Sequence, residues 1–220
     1  MRIREIKKEA WIALKNKWGL AVLLTILLGI FTFIIPDLFS AYASGGLSNY
    51  YLGDTYEGDI TSLIVGLILY PAVIGYNWVF LSLIRREPQG VKSMFRPFAV
   101  IGTYLKLIGT TILIWLFTAL WTVLLIVPGI IKGLAYSQTY YVLKDNPDLP
   151  ILHAITESRR LMDGYKWNFF LLQLSFIGWI ILAILTLGLG FLWLTPYMTA
   201  SSAEFYNEIR QAKADDGLNQ

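Results

Sequence analysis

The chain has 220 residues, of which 56% are hydrophobic and 15% charged, with no cysteine and one histidine. Soluble domains carry about 25% charged residues, so a water-soluble globule fits poorly and an all-α polytopic membrane protein fits well. The absent thiols exclude disulfides, thiol catalysis and thiolate metal sites. A net charge of +3 and a pI near 9.0 argue weakly for nucleic acid, which is not expected as a partner, and more for anionic lipid.

Residues 1–17 form a basic arm carrying Arg2, Arg4, Lys7, Lys8, Lys15 and Lys17. Ile3, Ile6, Ala10 and Leu14 fall on one helical face, the pattern of a helix lying in the membrane interface. Six apolar segments follow, near Trp18 to Ala41, Thr61 to Ile84, Thr103 to Val127, Gly129 to Leu143, Trp167 to Leu187 and Gly190 to Tyr206. Four contain runs of the roughly 20 apolar residues that a helix needs to cross a bilayer. The fourth is short and holds Lys132, Ser137, Gln138 and Thr139, and the sixth holds Pro196, Ser201, Ser202 and Glu204. Each follows an apolar helix through a tight turn, so both are expected to span, with a re-entrant helix as the alternative. Ala41-Tyr42-Ala43 has the form of a signal-peptide cleavage site. The apolar run before it is longer than a signal h-region of about 7–15 residues, so retention is expected.

The connections set the orientation. Arg85, Arg86, Lys92 and Arg96 lie between the second and third segments, and Lys144, Arg159, Arg160 and Lys166 between the fourth and fifth. Arg210 and Lys213 are in the tail, while the first loop carries only Asp54, Glu57 and Asp59. The positive-inside rule then places both termini in the cytoplasm. Lys132 is expected near the outer end of its helix. Pro71, Pro128 and Pro196 recur at comparable places, each followed by a tyrosine (Tyr76, Tyr136, Tyr197) and each pair of segments preceded by a basic amphipathic piece. These pieces run from Arg2 to Lys17, Val91 to Phe98 and Ile151 to Met162. A threefold repeat and a series of unrelated hairpins are both consistent with that pattern. In the third piece Asp148 is expected to cap the helix, Pro150 to occupy its first turn and Gly164 to end it.

The architecture expected is one membrane domain over 1–220: an interfacial arm at 1–17, a bundle of six transmembrane helices as three hairpins at 18–206, and a cytoplasmic tail at 207–220. Cytoplasmic interfacial amphipathic helices complete it.

Chemistry-bearing motifs are absent. His153 has no neighbours spaced as metal ligands or as an acid–base pair, and Gly188 and Gly190 make a turn, not a phosphate loop. No catalytic residue, cofactor or metal is expected. The polar residues within the segments define a candidate cavity in the cytoplasmic half: Asn77, Lys106, Gln138, Gln173, Ser201 and Glu204. An ionisable group inside a span calls for a partner, and Lys106 and Glu204 fall at similar depth. Interhelical hydrogen bonding with Lys106 snorkelling is the plainer reading. Arg159, Arg160 and Lys166 are the candidate contacts for anionic lipid headgroups.

One stretch carries a resemblance. Lys144-Asp145-Asn146-Pro147-Asp148 leads to Glu157-Ser158-Arg159-Arg160-Leu161-Met162-Asp163-Gly164-Tyr165-Lys166-Trp167. Leu192-Trp193-Leu194-Thr195-Pro196-Tyr197 and Ala203-Glu204-Phe205-Tyr206 follow. This resembles an uncharacterised family of bacterial integral membrane proteins, domain of unknown function 975, most closely over Lys144 to Tyr206. The chain is also broadly similar to the membrane portion that accompanies some glycerophosphodiester phosphodiesterases, without their hydrolase. The resemblance implies a six-helix protein of the bacterial plasma membrane and supplies no catalytic residues. The function expected is a non-enzymatic lipid-contacting or scaffolding factor, with membrane lipids, protein partners or a second copy as partners. The alternative is a small transporter or substrate-binding subunit using the polar cavity.

Overall fold

Leu, Ile, Val, Phe and Trp crowd the long segments, and helices are the structure that lets such a chain satisfy its own backbone in lipid. The computed structural model describes residues 2–52 and 56–218, so Asp54 of the acidic loop lies outside the described residues, as do Asn219 and Gln220 of the tail. Helices and turns account for the regular structure there, with no strand among the described residues. In chain order the helices are α1 (Ile3–Leu14), α2 (Trp18–Ala43), α3 (Leu47–Leu52), α4 (Tyr56–Ile84), α5 (Ile101–Leu124), α6 (Ile126–Tyr136), α7 (Thr139–Asp145), α8 (Ile151–Leu161), α9 (Lys166–Leu185) and α10 (Phe191–Leu218). A 3-10 helix, Val91–Phe98, lies between α4 and α5.

Four of these helices, α2, α4, α5 and α9, are long and apolar enough to cross a membrane. The fourth expected segment is not one continuous helix. It breaks after Tyr136 and resumes at Thr139 as α7. The sixth runs on past Tyr206 into the tail as the single helix α10. Gly164 closes the turn after α8 with φ of 84°, a left-handed conformation that glycine adopts freely. Asp148 does not cap α8: Pro150 sits at its N-cap and no side-chain hydrogen bond closes that end. In α2 the π-helical turn Ile30–Ile34 sits just before Pro36. Widening the helix there relieves the clash that a proline ring makes with the carbonyl four residues earlier.

Burial is strongly uneven. Tyr76, Phe80 and Leu81 of α4, Ile6 and Leu14 of α1, and Phe205, Tyr206 and Ile209 of α10 are closed off from solvent. They form one packed end, to which α7, α8 and the first half of α9 contribute Val142, Ala154 and Leu172. The opposite end exposes its apolar residues. Phe33 and Leu38 of α2, Leu63 of α4, Val123 to Val127 between α5 and α6, and Leu185 to Leu189 after α9 all point outward. Lipid is the solvent in which such a surface is stable.

Small residues and one hydroxyl bring neighbouring helices close. Thr25 bonds Tyr76 across α2 and α4 at 2.9 Å, Gly129 of α6 lies against Thr122 of α5, and Gly190 lies against Ala183 of α9. The turn between α9 and α10 wastes no donor. The amides of Thr186 to Leu194 all find acceptors within the turn and its flanking helices, that of Gly190 bonding the Thr186 hydroxyl at 2.9 Å.

The close approach that positions the 3-10 helix occurs at Gly75, where a Cβ would overlap the Met94 carbonyl. Gly75→Ala is expected to destabilise the protein by about 1–3 kcal/mol through overpacking, read as a lowered thermal midpoint in detergent. Gly66→Ala, with open space around the added methyl, should leave that midpoint unchanged or raise it.

Candidate functional site

The six residues of the expected polar cavity do not converge. Asn77 and Gln173 share a cleft of about 350 Å³, where the Gln173 amide donates to the Ser202 hydroxyl at 3.1 Å. Asn77 is turned back on its own helix, donating to the Val73 carbonyl at 2.8 Å. Ser201 is buried and donates to the Tyr197 carbonyl at 2.8 Å. Gln138 is fully buried at the break between α6 and α7, where its Oε1 meets no protein donor. Lys106 and Glu204 are not paired. Lys106 donates to the Pro147 carbonyl at 2.5 Å, while Glu204 lines a separate cleft with Glu9, Lys17 and Arg86. Similar depth along two helices says nothing about their angular position in a bundle, which is why the pairing fails.

The three expected headgroup contacts do converge. Arg159, Arg160 and Lys166 line one cleft of about 370 Å³, and Lys132 of α6 joins them. Local folding explains the assembly. Ser158 donates to the Ala135 carbonyl at 2.8 Å and accepts the Gln138 amide at 3.2 Å. One hydroxyl thus caps the broken helix and fastens α8 to it, which directs Arg159 and Arg160 towards Lys132. Asp163 is the one carboxylate in the lining, 3.5 Å from Lys166. Glu157 reaches Arg160 at 4.0 Å from outside it. Positive charge therefore dominates the cleft. Lys132 also lies 4.7 Å from the centre of the Trp121 ring. Lys132, expected near the outer end of its helix, thus shares a cleft with Arg159 and Arg160.

Sequence reasoning missed the strongest polar cluster. Asp145, with 6% of its side chain exposed, receives both arms of the Arg85 guanidinium at 2.6 and 2.8 Å. Tyr206 donates to it at 2.8 Å and Arg210 at 2.6 Å, while Asn207 accepts from Arg85 at 3.0 Å. Next to it Lys144 donates to the Trp78 carbonyl at 2.6 Å and to the Ser82 hydroxyl. Burial pushes the Lys144 ammonium down to about 8, against a smaller upward pull from Glu87. Burial alone would raise the Asp145 carboxyl, but the bonds from Arg85 and Tyr206 and the charges of Arg85 and Arg210 hold it below its ordinary value. The signals available were the paired Lys144-Asp145 at a helix end and Tyr206 and Arg210 one turn apart. Nothing local joined them to Arg85. The cluster ties α4, α7 and α10 together.

Asp145→Asn leaves the half-buried Arg85 without its counter-charge and is expected to cost about 1–3 kcal/mol. The acid side carries the same signature. A carboxyl whose folded pKa is depressed stabilises the fold above its unfolded value of about 3.9 and loses that contribution as pH falls through the folded value. The thermal midpoint in detergent should hold steady from neutral pH to about pH 5 and drop below about pH 4. Asp145→Asn should flatten that acid limb.

No curated protein and no solved structure matches the chain. A family model described as "Protein of unknown function (DUF975)" matches residues 1–132 and 123–213. Together those spans include both the arm and the stretch that builds the basic cleft and the Asp145 cluster, and the chain belongs to this DUF975 family.

Proposed function

We propose that this chain is a non-enzymatic, multi-pass factor of the bacterial plasma membrane with both termini cytoplasmic, which engages anionic lipid headgroups. The observation that carries the reading is the cleft of Lys132, Arg159, Arg160 and Lys166 beside an exposed apolar turn. Arginine forks match phosphate geometry, and four cations against one carboxylate favour an anion. The exposed apolar turn Val123 to Val127 lies at the far end of α6 from the cleft, and exposed Ile130 and Ile131 continue its surface towards Lys132. From Lys132 to Leu125 is about 10 Å along a helix, the depth at which interfacial helices bury their apolar faces. That distance favours the α5–α6 turn as an interfacial wedge over the fourth segment as a full span. The transporter reading draws less support, because only Asn77 and Gln173 of its six residues share a cleft.

Titration of the detergent-extracted protein with phosphatidylglycerol, followed by native mass spectrometry, tests the reading. Each cation near a headgroup surface contributes about fivefold in affinity, so Arg159→Gln with Arg160→Gln is expected to weaken retention about 25-fold. Phosphatidylcholine binding should be unaffected. Equal phosphatidylglycerol retention by the double variant would end the proposal.

A further inference from the structure

A second cavity lies between α9, the arm and α10, with a volume of about 870 Å³. It falls within the usual size of small-molecule sites, about 300–1,000 Å³. Four of the eight tryptophans of the chain, Trp11, Trp18, Trp179 and Trp193, line it. Their chemistry is graded along the groove. At one end Lys7 reaches Ser175, 3.2 Å from its hydroxyl, and sits 4.1 Å from the centre of the Phe176 ring. At the other end are Thr186 and Gly190 of the apolar turn. The span from Ser175 to Thr186 corresponds to about 16 Å of helix.

Lys7 is the one charged residue of the lining. Among the described residues no carboxylate lies within ion-pair distance of it. An ammonium has three donors, and serine and aromatic faces do not neutralise it. Trp179, Leu182 and Trp193 are each more than half exposed on the apolar surface, so the groove opens sideways onto the region that faces lipid.

We infer that this groove binds one anionic phospholipid, with the phosphate at Lys7 and an acyl chain lying along Trp179, Leu182 and Trp193. A cation at one end of an otherwise apolar, laterally open channel complements a lipid that carries its charge at the head and nothing polar along its tail. Burial of the Lys7 ammonium against apolar surface lowers its pKa, and a phosphate would oppose that shift. The site is separate from the Arg159–Arg160 cleft and stands or falls independently of it.

The test is tryptophan quenching of the full-length protein in nanodiscs by lipids brominated on the acyl chain. Trp115, Trp121 and Trp167 are exposed and outside the groove, so replacing them with Phe removes most lipid-facing background. On that background, brominated phosphatidylglycerol should quench at about fivefold lower mole fraction than brominated phosphatidylcholine. Lys7→Gln should abolish the difference, Lys7→Arg should keep it, and Leu182→Glu, at an exposed position, should weaken quenching by both lipids. Arg159→Gln with Arg160→Gln should leave it intact, which separates failure of this site from failure of the basic cleft. Equal quenching by the two lipids, or a preference that survives Lys7→Gln, overturns the inference. Displacement by millimolar inorganic phosphate also overturns it, because the site would then be a plain anion site.

Discussion

A carboxylate can be buried only if its charge is met, and Asp145 meets this requirement with donors from two distant helices. Arg85 arrives from the end of α4, and Tyr206 and Arg210 from α10. Each lies 60 or more positions from Asp145 in the chain, so the cluster fixes the register of three helices at once. The rest of the packed end follows from that register. Tyr141 stacks on Tyr206 at 5.3 Å, Phe169 meets Phe205 at 4.9 Å, and the Trp78 indole donates to the Tyr140 carbonyl. Each of these contacts lies within a few residues of a member of the cluster or its flanking helices.

Small residues and single hydroxyls set the spacing between neighbouring helices: Gly129 against Thr122, Gly190 against Ala183, Thr25 against Tyr76. That division of labour suits a bilayer. Between apolar helices in lipid there is little hydrophobic gain, so close packing and occasional hydrogen bonds carry association. Polar order is concentrated where water can reach. The basic cleft and the Lys7 groove both lie along α9, at the boundary between the two regimes.

Much of the architecture was legible in the residues. Runs of apolar residues mark the four long helices, and the 3.6-residue stripes of Ile3 to Leu14 and Ile151 to Met162 mark α1 and α8. Arg159, Arg160 and Lys166 were readable as a group because they are close in sequence and share a helix and its turn. Lys132 was not, because its approach depends on the break at Ser137 and Gln138, which only the Ser158 hydroxyl completes. The Lys106–Glu204 pairing failed for a related reason. Depth can be counted along a helix, whereas the rotation of each helix is set by side chains packed from several others. Asp145 and Arg85 read as ordinary loop charges because they lie 60 positions apart in the chain.

The turn after α9 has a consequence for how the protein reaches its membrane. From Ile177 to Leu194 there is no charged side chain, and every amide from Thr186 to Leu194 already has an acceptor. The α5–α6 turn, from Ile112 to Ile131, is likewise uncharged. Neither loop would have to shed water from an ion, or wait for a translocation channel, before entering hydrocarbon. The start of α4 differs, because its first turn carries Glu57 and Asp59. On the membrane reading proposed above, entry can divide into one step that transfers charge and two that proceed by partitioning alone.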